Sequence, residues 1–356
     1  MAFAQTVWYF GLSLLVWSAT AFAQTDREDY VSTASFVIGT HRPSSTASTP
    51  ETRAANTRNF LDKLDDSQRQ RASFPLNSPE RREWTNLPPS PNAKGLRFRE
   101  LNEEQVKAAC DLMAVIFSER GYQKMCHIML ADDQLLSGGR PHSSLGTENF
   151  ALLIFGEPSE TEPWAFQLDG HHIGVNLTFQ GDEITMSPSF IGTQPEAFKI
   201  DDQDYRPLTD EIDEAYRLVN LLNDEQRKSA VINPRRGVMI AGPGADGRIP
   251  PTKGVSCQTF TEEQKQSLIK LICAWVNDLP GEHAEREMER LTSEIDQMYF
   301  SWNGALTARS DISYTIQGPT LIIEFTCQGA ADNPLDHIHT MYRNPTSEYG
   351  KLEIAQ

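Results

Sequence analysis

A set of motifs that recurs in the same order constrains this chain most. "FLDKLDDSQRQRASF" at 60–74 resembles "LVNLLNDEQRKSAVI" at 218–232. "KGLRFRELNEEQ" at 94–105 resembles "KGVSCQTFTEEQ" at 253–264, and "GHHIGVNLTFQ" at 170–180 lies over "GPTLIIEFTCQ" at 318–328 without a gap. The offsets are 158, 159 and 148 residues. Helix starts imitate one another: Asp65, Asn102, Asn223 and Thr261 each precede a Gln by three residues, the capping-box spacing. Capping does not account for the shared Lys-Gly or for the ungapped strand, so the preserved order reads as an internal duplication.

Periodicity supplies the elements. Apolar residues follow Asn102 at Val106, Ala109, Cys110, Met113, Ile116 and Phe117, and follow Thr261 at Leu268, Leu271, Ile272, Trp275 and Leu279. Both patterns predict amphipathic helices, and 209–231 and 282–297 also read as helical. Strands are predicted at 149–155, 164–169, 172–179, 183–187, 312–317, 320–327 and 337–342. Gly181-Asp182 and Gly318-Pro319 mark tight connections. The expected fold is α+β: one duplicated domain over 56–356, with helices and antiparallel β-hairpins in two pseudo-equivalent lobes, 57–200 and 205–356.

The N-terminus has the form of an export signal. An apolar run over 7–17 precedes Ala21-Phe22-Ala23, a small-x-small cleavage pattern. No Lys or Arg stands in 1–6, as an uncleaved anchor would also allow, but the run is short for a membrane span. Residues 1–23 are therefore expected to be a signal peptide and the protein to be secreted or periplasmic, without membrane attachment after cleavage. Residues 24–55 are rich in Ser, Thr, Ala and Pro and are expected to form a flexible, low-complexity lead-in.

A formal net charge of −17 repels phosphate backbones and argues against a nucleic-acid partner. The five cysteines form no C-x-x-C pair, and the odd count leaves at least one thiol outside an internal disulfide. Cys110 and Cys273 fall on apolar helix faces, where cysteine behaves as a small hydrophobe.

"FGEPSETEPWAFQLDGHHIGVNLTFQG", "SPSFIGTQP", "YFSWNG", "IQGPTLIIEF" and "HIHTMYRNPTSEYG" occur in that order between about Asn59 and Gly350. Together they resemble the exported family catalogued as domain of unknown function 3500. The resemblance implies a fold-sized unit and a set of motifs, but no reaction. The chemistry has to come from the residues.

Four of the eight histidines stand in two pairs. His337 and His339 are two apart on a predicted strand and share a face, as metal-binding His-x-His pairs do. His171 and His172 are adjacent, so a regular strand sends them to opposite faces. The His171 face, with Ile173 and Val175, looks like core; His172 is the better ligand candidate, and His171 is assigned to orientation or acid/base work. Glu324, in "LIIEFT", is a carboxylate in an apolar strand and needs a partner. It aligns with Asn176 in the repeat. His172, His337, His339 and Glu324 make a metal set that suits Zn, Fe, Mn or Cu. The bland alternative is a group of hydrogen-bonded core histidines, with Glu324 exposed or paired to Arg343.

Trp164, Trp302 and Arg343 are candidates for substrate contact, and Tyr349 for proton handling, although strand tryptophans commonly serve packing. "AGPGADG" lacks the Lys-Ser/Thr end of a phosphate loop, and no Gly-x-Ser-x-Gly elbow is present. The leading expectation is an exported metal-dependent hydrolase acting on a small molecule. The alternatives are a metal-dependent oxidoreductase and a non-catalytic protein binding a metal or small molecule. Intact-mass analysis of the exported protein should show a chain starting at Gln24; a full-length product retained in the membrane would refute the cleavage.

Overall fold

Each predicted capping box forms. Asp65, Asn102, Asn223 and Thr261 accept the backbone N–H of Gln68, Gln105, Gln226 and Gln264, and each Gln side chain returns a bond to its cap's N–H. The same glutamines also pair across helices, Gln68 with Gln105 and Gln226 with Gln264. A three-residue spacing thus fixes both where helices start and how neighbouring starts dock.

In this computed structural model, residues 32–90, 92–137 and 144–351 are described. The described helices are α1 (Thr33–Thr40), α2 (Pro50–Asp62), α3 (Asp66–Ala72), α4 (Glu103–Ile116), α5 (Glu119–Ser137), α6 (Thr209–Leu221), α7 (Asp224–Ala230), α8 (Glu262–Val276) and α9 (Gly281–Ser293). None is long and apolar enough to cross a membrane. The proposed signal peptide, 1–23, lies outside the described residues.

The expected lead-in needs correction. Ser32 caps α1 by accepting the N–H of Ser35, and Ala34, Val37 and Ile38 are buried with Phe60 of α2 in the main core. One short apolar run, "ASFVI", is enough to dock this polar stretch, and average composition concealed it. Residues 24–31 lie outside the described part.

The strands in the first half are β1 (Ser73–Phe74), β2 (Leu96–Arg97), β3 (Ala151–Phe155), β4 (Trp164–Gly170), β5 (Ile173–Gln180) and β6 (Glu183–Thr193). A separate two-stranded sheet is made by β7 (Phe198–Ile200) and β8 (Gln203–Tyr205). Then follow β9 (Val231–Asn233), β10 (Val255–Ser256), β11 (Tyr299–Asn303), β12 (Ser313–Gln317), β13 (Ile322–Cys327) and β14 (Ile338–Arg343). Twelve strands join in one mixed sheet, ordered β1-β3-β4-β5-β6-β14-β13-β12-β11-β10, with β2 on β3 and β9 on β11. The architecture is α+β, as expected, with the predicted strands in one continuous sheet.

Side-chain alternation gives that sheet two different covers. Leu152, Phe166, Val175, Ile316, Ile323 and Ile338 join the helices in the main core. On the opposite face, Phe190, Ile322 and Met341 pack with Trp84 and Ala241, which come from irregular segments. We call these the helix face and the loop face.

A buried ion cluster ties α5 to α6 and the end of α8. Lys124 Nζ donates to Glu211 (2.7 Å), Asp278 (2.8 Å) and the Ala274 carbonyl (2.6 Å), with all three charged side chains at most 3% exposed. Burial raises the Glu211 and Asp278 carboxyls, and the Lys124 ammonium opposes that rise. Lys124→Met leaves the acids without their shared cation, so it should cost about 3–5 kcal/mol. Urea unfolding measures it; a loss below about 1 kcal/mol would show that Arg120, 3.3 Å from Asp278, suffices alone.

Candidate metal centre

β4 ends at Gly170 and β5 starts at Ile173, so His171 and His172 form the two-residue turn between them. The strand expected at 172–179 starts one residue later, which leaves His172 in the turn. Its φ is +69°, a left-handed conformation that costs a non-glycine residue about 1–2 kcal/mol. Only this second turn residue has a positive φ, so the turn is neither of the primed types whose twist matches the flanking strands. The two rings stack, with centroids 3.7 Å apart, but their nitrogens engage different partners.

His172 Nε2 lies 2.8 Å from His337 Nε2, and His337 Nε2 lies 2.9 Å from His339 Nε2. One nitrogen of each pair carries the proton. His337 directly precedes β14 and His339 sits within it, so the i, i+2 spacing puts both rings on the loop face, as predicted. The three candidate ligand atoms all lie within 4.8 Å of one another.

Gly192 makes this approach possible. It pairs with His339 across β6 and β14, and its N–H donates to the His172 carbonyl at 2.8 Å. A Cβ there would stand 2.6 Å from the Ile338 carbonyl oxygen and 3.0 and 3.1 Å from Cδ2 of His172 and His339. The Phe190 ring, 5.1 Å from that of His339, and Asn86 close the other sides. Burial, and then the neighbouring His337 and His171, lower the His339 pKa to about 3. Its imidazole is therefore neutral, the form that ligates metal.

The first histidine of the turn has a partner that the sequence reading missed. His171 Nδ1 donates to Asp132 of α5 at 2.5 Å, and the other Asp132 oxygen accepts the Gly146 N–H at 2.6 Å. The bond fixes the ring's tautomer and leaves Nε2 as its acceptor nitrogen. Asp132, His171 and His172 form a second close group. A signal was present: Asp132 continues the apolar face of Ile128 and Met129, a costly place for an unpartnered carboxylate.

Glu324 does not join the histidines. It shares their face, but its carboxylate accepts the N–H groups of Ile240 (2.9 Å) and Ala241 (2.6 Å). Burial raises its pKa and these bonds oppose the rise. The partner that this carboxylate needed is backbone, and its role is to anchor a loop.

The other assignments also change. Arg343 is fully buried, donates Nε–H to the Ala241 carbonyl at 2.7 Å and pairs with Asp246 and Glu348, so it has no free fork for a substrate. Tyr349 receives the Trp84 indole N–H at 3.1 Å and bonds Asp246; burial holds its phenol far above the neutral range. Both are held by Asp246 and by neighbours of their own on the loop face. Trp164 stacks on Phe179 and donates to the Ser159 carbonyl, while Trp302 stacks on Tyr314, so both serve packing. All five cysteines are free, and burial raises the Cys110 and Cys257 thiols to about 12, which suits hydrophobes and not nucleophiles.

The sequence profile of a family described as "protein of unknown function (DUF3500)" matches residues 46–351. No curated protein and no solved structure matches the chain significantly. The matched span runs from the approach to α2 to the residues just after β14, and so contains the whole histidine cluster. By that match the chain belongs to the DUF3500 family.

Proposed function

We propose that this protein is an extracytoplasmic metalloprotein, with His172, His337 and His339 holding one divalent ion and a small molecule as its substrate. The observation that carries this reading is the convergence of three imidazole Nε2 atoms from two separate strand ends. Hydrogen bonding alone gives no reason to gather three rings whose protonated forms repel one another. The spacing is a fair fit. Tetrahedral zinc with bonds near 2.0–2.1 Å sets its nitrogens about 3.3 Å apart, slightly wider than the 2.8 and 2.9 Å here.

With Glu324 outside the group, the donors are all nitrogen. That favours Zn, Cu or Fe over Mn, which prefers oxygen. A bound ion of this kind supplies a Lewis acid that lowers the pKa of water toward neutrality. The chain's own contribution is the His171–Asp132 pair. Asp132 fixes the His171 ring against His172 and leaves an acceptor nitrogen for a proton beside the site. Hydrolysis is the leading use, because it needs no external electron donor. Oxidation and simple metal or ligand binding are the alternatives, and turnover on a broad substrate panel, with and without chelator, separates catalysis from binding. Export, drawn from the N-terminal pattern, supplies the extracytoplasmic part of the reading.

We further propose that the fold arose by duplication into two equivalent lobes. Outward from the central β6–β14 pair, β5, β4 and β3 mirror β13, β12 and β11. At the outer positions β1 and β9 pair parallel, while β2 and β10 pair antiparallel.

Elemental analysis of protein purified from its native compartment should give one metal per chain. His337→Ala and His172→Ala should each reduce that at least tenfold, while Glu324→Gln should keep it. Equal metal in all four proteins, or none in any, would refute the site. Metal should also dissociate as pH falls below the ordinary histidine range near 6.5.

Metal-free protein should respond to acid too. The folded pKa of His339 is depressed, so its share of stability is present above the unfolded value of about 6.5. That share is lost as pH falls from there toward about 3. Denaturant midpoints from pH 7 to 4 should fall less steeply in His339→Gln than in the natural chain; parallel profiles would refute the depression.

A further inference from the structure

A second cleft, of about 210 Å³, lies on the loop face over β11, β12 and β13. Strand register builds its floor. Ser301, Thr315 and Glu324 stand side by side across the three strands, and Asn303, Ser313 and Thr326 form the next row. That second row continues onto β14 at His339, so the floor runs toward the histidine cluster. Hydroxyl, amide and carboxyl groups therefore occupy positions where the other face of the same strands carries Tyr314, Ile316 and Phe325.

Part of this polar grid is satisfied internally. The Ser313 hydroxyl accepts the Gly237 N–H, and Glu324 is occupied by Ile240 and Ala241. Gln317 is not fully satisfied. It lines the cleft at 7% exposure and donates Nε2–H to the Pro250 carbonyl at 2.9 Å, but its Oε1 is buried without a partner. Buried acceptors are rarely left so; a small shift of the Gln317 side chain on binding would bring Oε1 within reach of a ligand donor and recover the lost bond. Ile232, Pro250 and Pro251 give the cleft an apolar side wall.

We propose that this cleft binds a neutral polyhydroxy compound the size of one monosaccharide, with hydroxyls on Gln317 Oε1, Ser301 and Thr315 and a C–H face against Pro250 and Pro251. Each feature selects part of that class. An orphan acceptor among hydroxyl side chains matches a ligand whose groups both donate and accept. At about 30 Å³ per water, the volume holds about seven waters, enough for a single sugar ring. The Glu324 carboxylate in the floor and the net charge of −17 disfavour anions.

The site does not depend on a metal, so the test uses the mature chain after chelator treatment. Saturation-transfer NMR and calorimetry are run with glucose, galactose, xylose, glycerol and glucuronate. At least one neutral compound should bind, and glucuronate should bind at least tenfold more weakly than glucose. Gln317→Leu should weaken binding at least tenfold. Thr315→Trp, which fills the half-buried centre of the cleft, should abolish it, with circular dichroism confirming that both variants fold. Failure of every neutral compound to bind the natural chain, or binding unchanged in either folded variant, would overturn the proposal. These readouts stay separate from metal content, so the two sites stand or fall independently.

Discussion

The antiparallel pairing of β6 with β14 is the contact on which the rest of the structure depends. It joins six strands from each half of the chain into one sheet. It also sets Gly192 opposite His339, so that a residue with no side chain faces one with a large ring. Moving the register by one residue would send His339 to the helix face, because strand side chains alternate. The same pairing holds the β4–β5 turn against the start of β14, through the Gly192 N–H bond to the His172 carbonyl. Sheet closure and assembly of the histidine cluster are therefore one event.

Covering the two faces poses different problems. The helix face is closed by amphipathic helices whose apolar stripes meet alternating strand residues. Irregular segments close the loop face, and their backbone groups have no ladder partners, so side chains must satisfy them. Glu324 accepts two loop N–H groups, while Arg343 donates to the Ala241 and Gly242 carbonyls. Strand positions with charged residues thus act as anchors for loops, and this is why two residues that look chemically active in the sequence are structural. In the cleft over β11–β13 such satisfaction is incomplete at Gln317, as it is on β4 and β5 at Gln167 and Asn176.

Much of the site was legible in advance, but unevenly. His337 and His339 were readable because a two-residue spacing has one meaning on a strand. His172 was reached for an incomplete reason: it belongs to the turn, and a left-handed φ turns its ring toward β14. Asp132 was missed although its place on an apolar helix stripe was visible. Nothing local in "SEYG" or "MYRN" distinguishes a buried anchor from a catalytic group, since burial is settled by segments more than ninety residues away, such as Ala241 and Asp246.

By itself, the sequence determined where elements begin, which faces are apolar and which residues repeat, because capping, periodicity and alternation are short-range rules. That sufficed for an α+β chain with a polar-capped helix set and two histidine pairs. Tertiary structure alone decided which polar residues meet. It brought together rings 165 positions apart, kept Glu324 out of their company and docked α1 onto the core despite its polar surroundings. The physical reason is that a buried polar group takes whichever partner the packed chain brings within about 3 Å. Register, turn geometry and loop path set that choice together, and none of them is contained in a short window of residues.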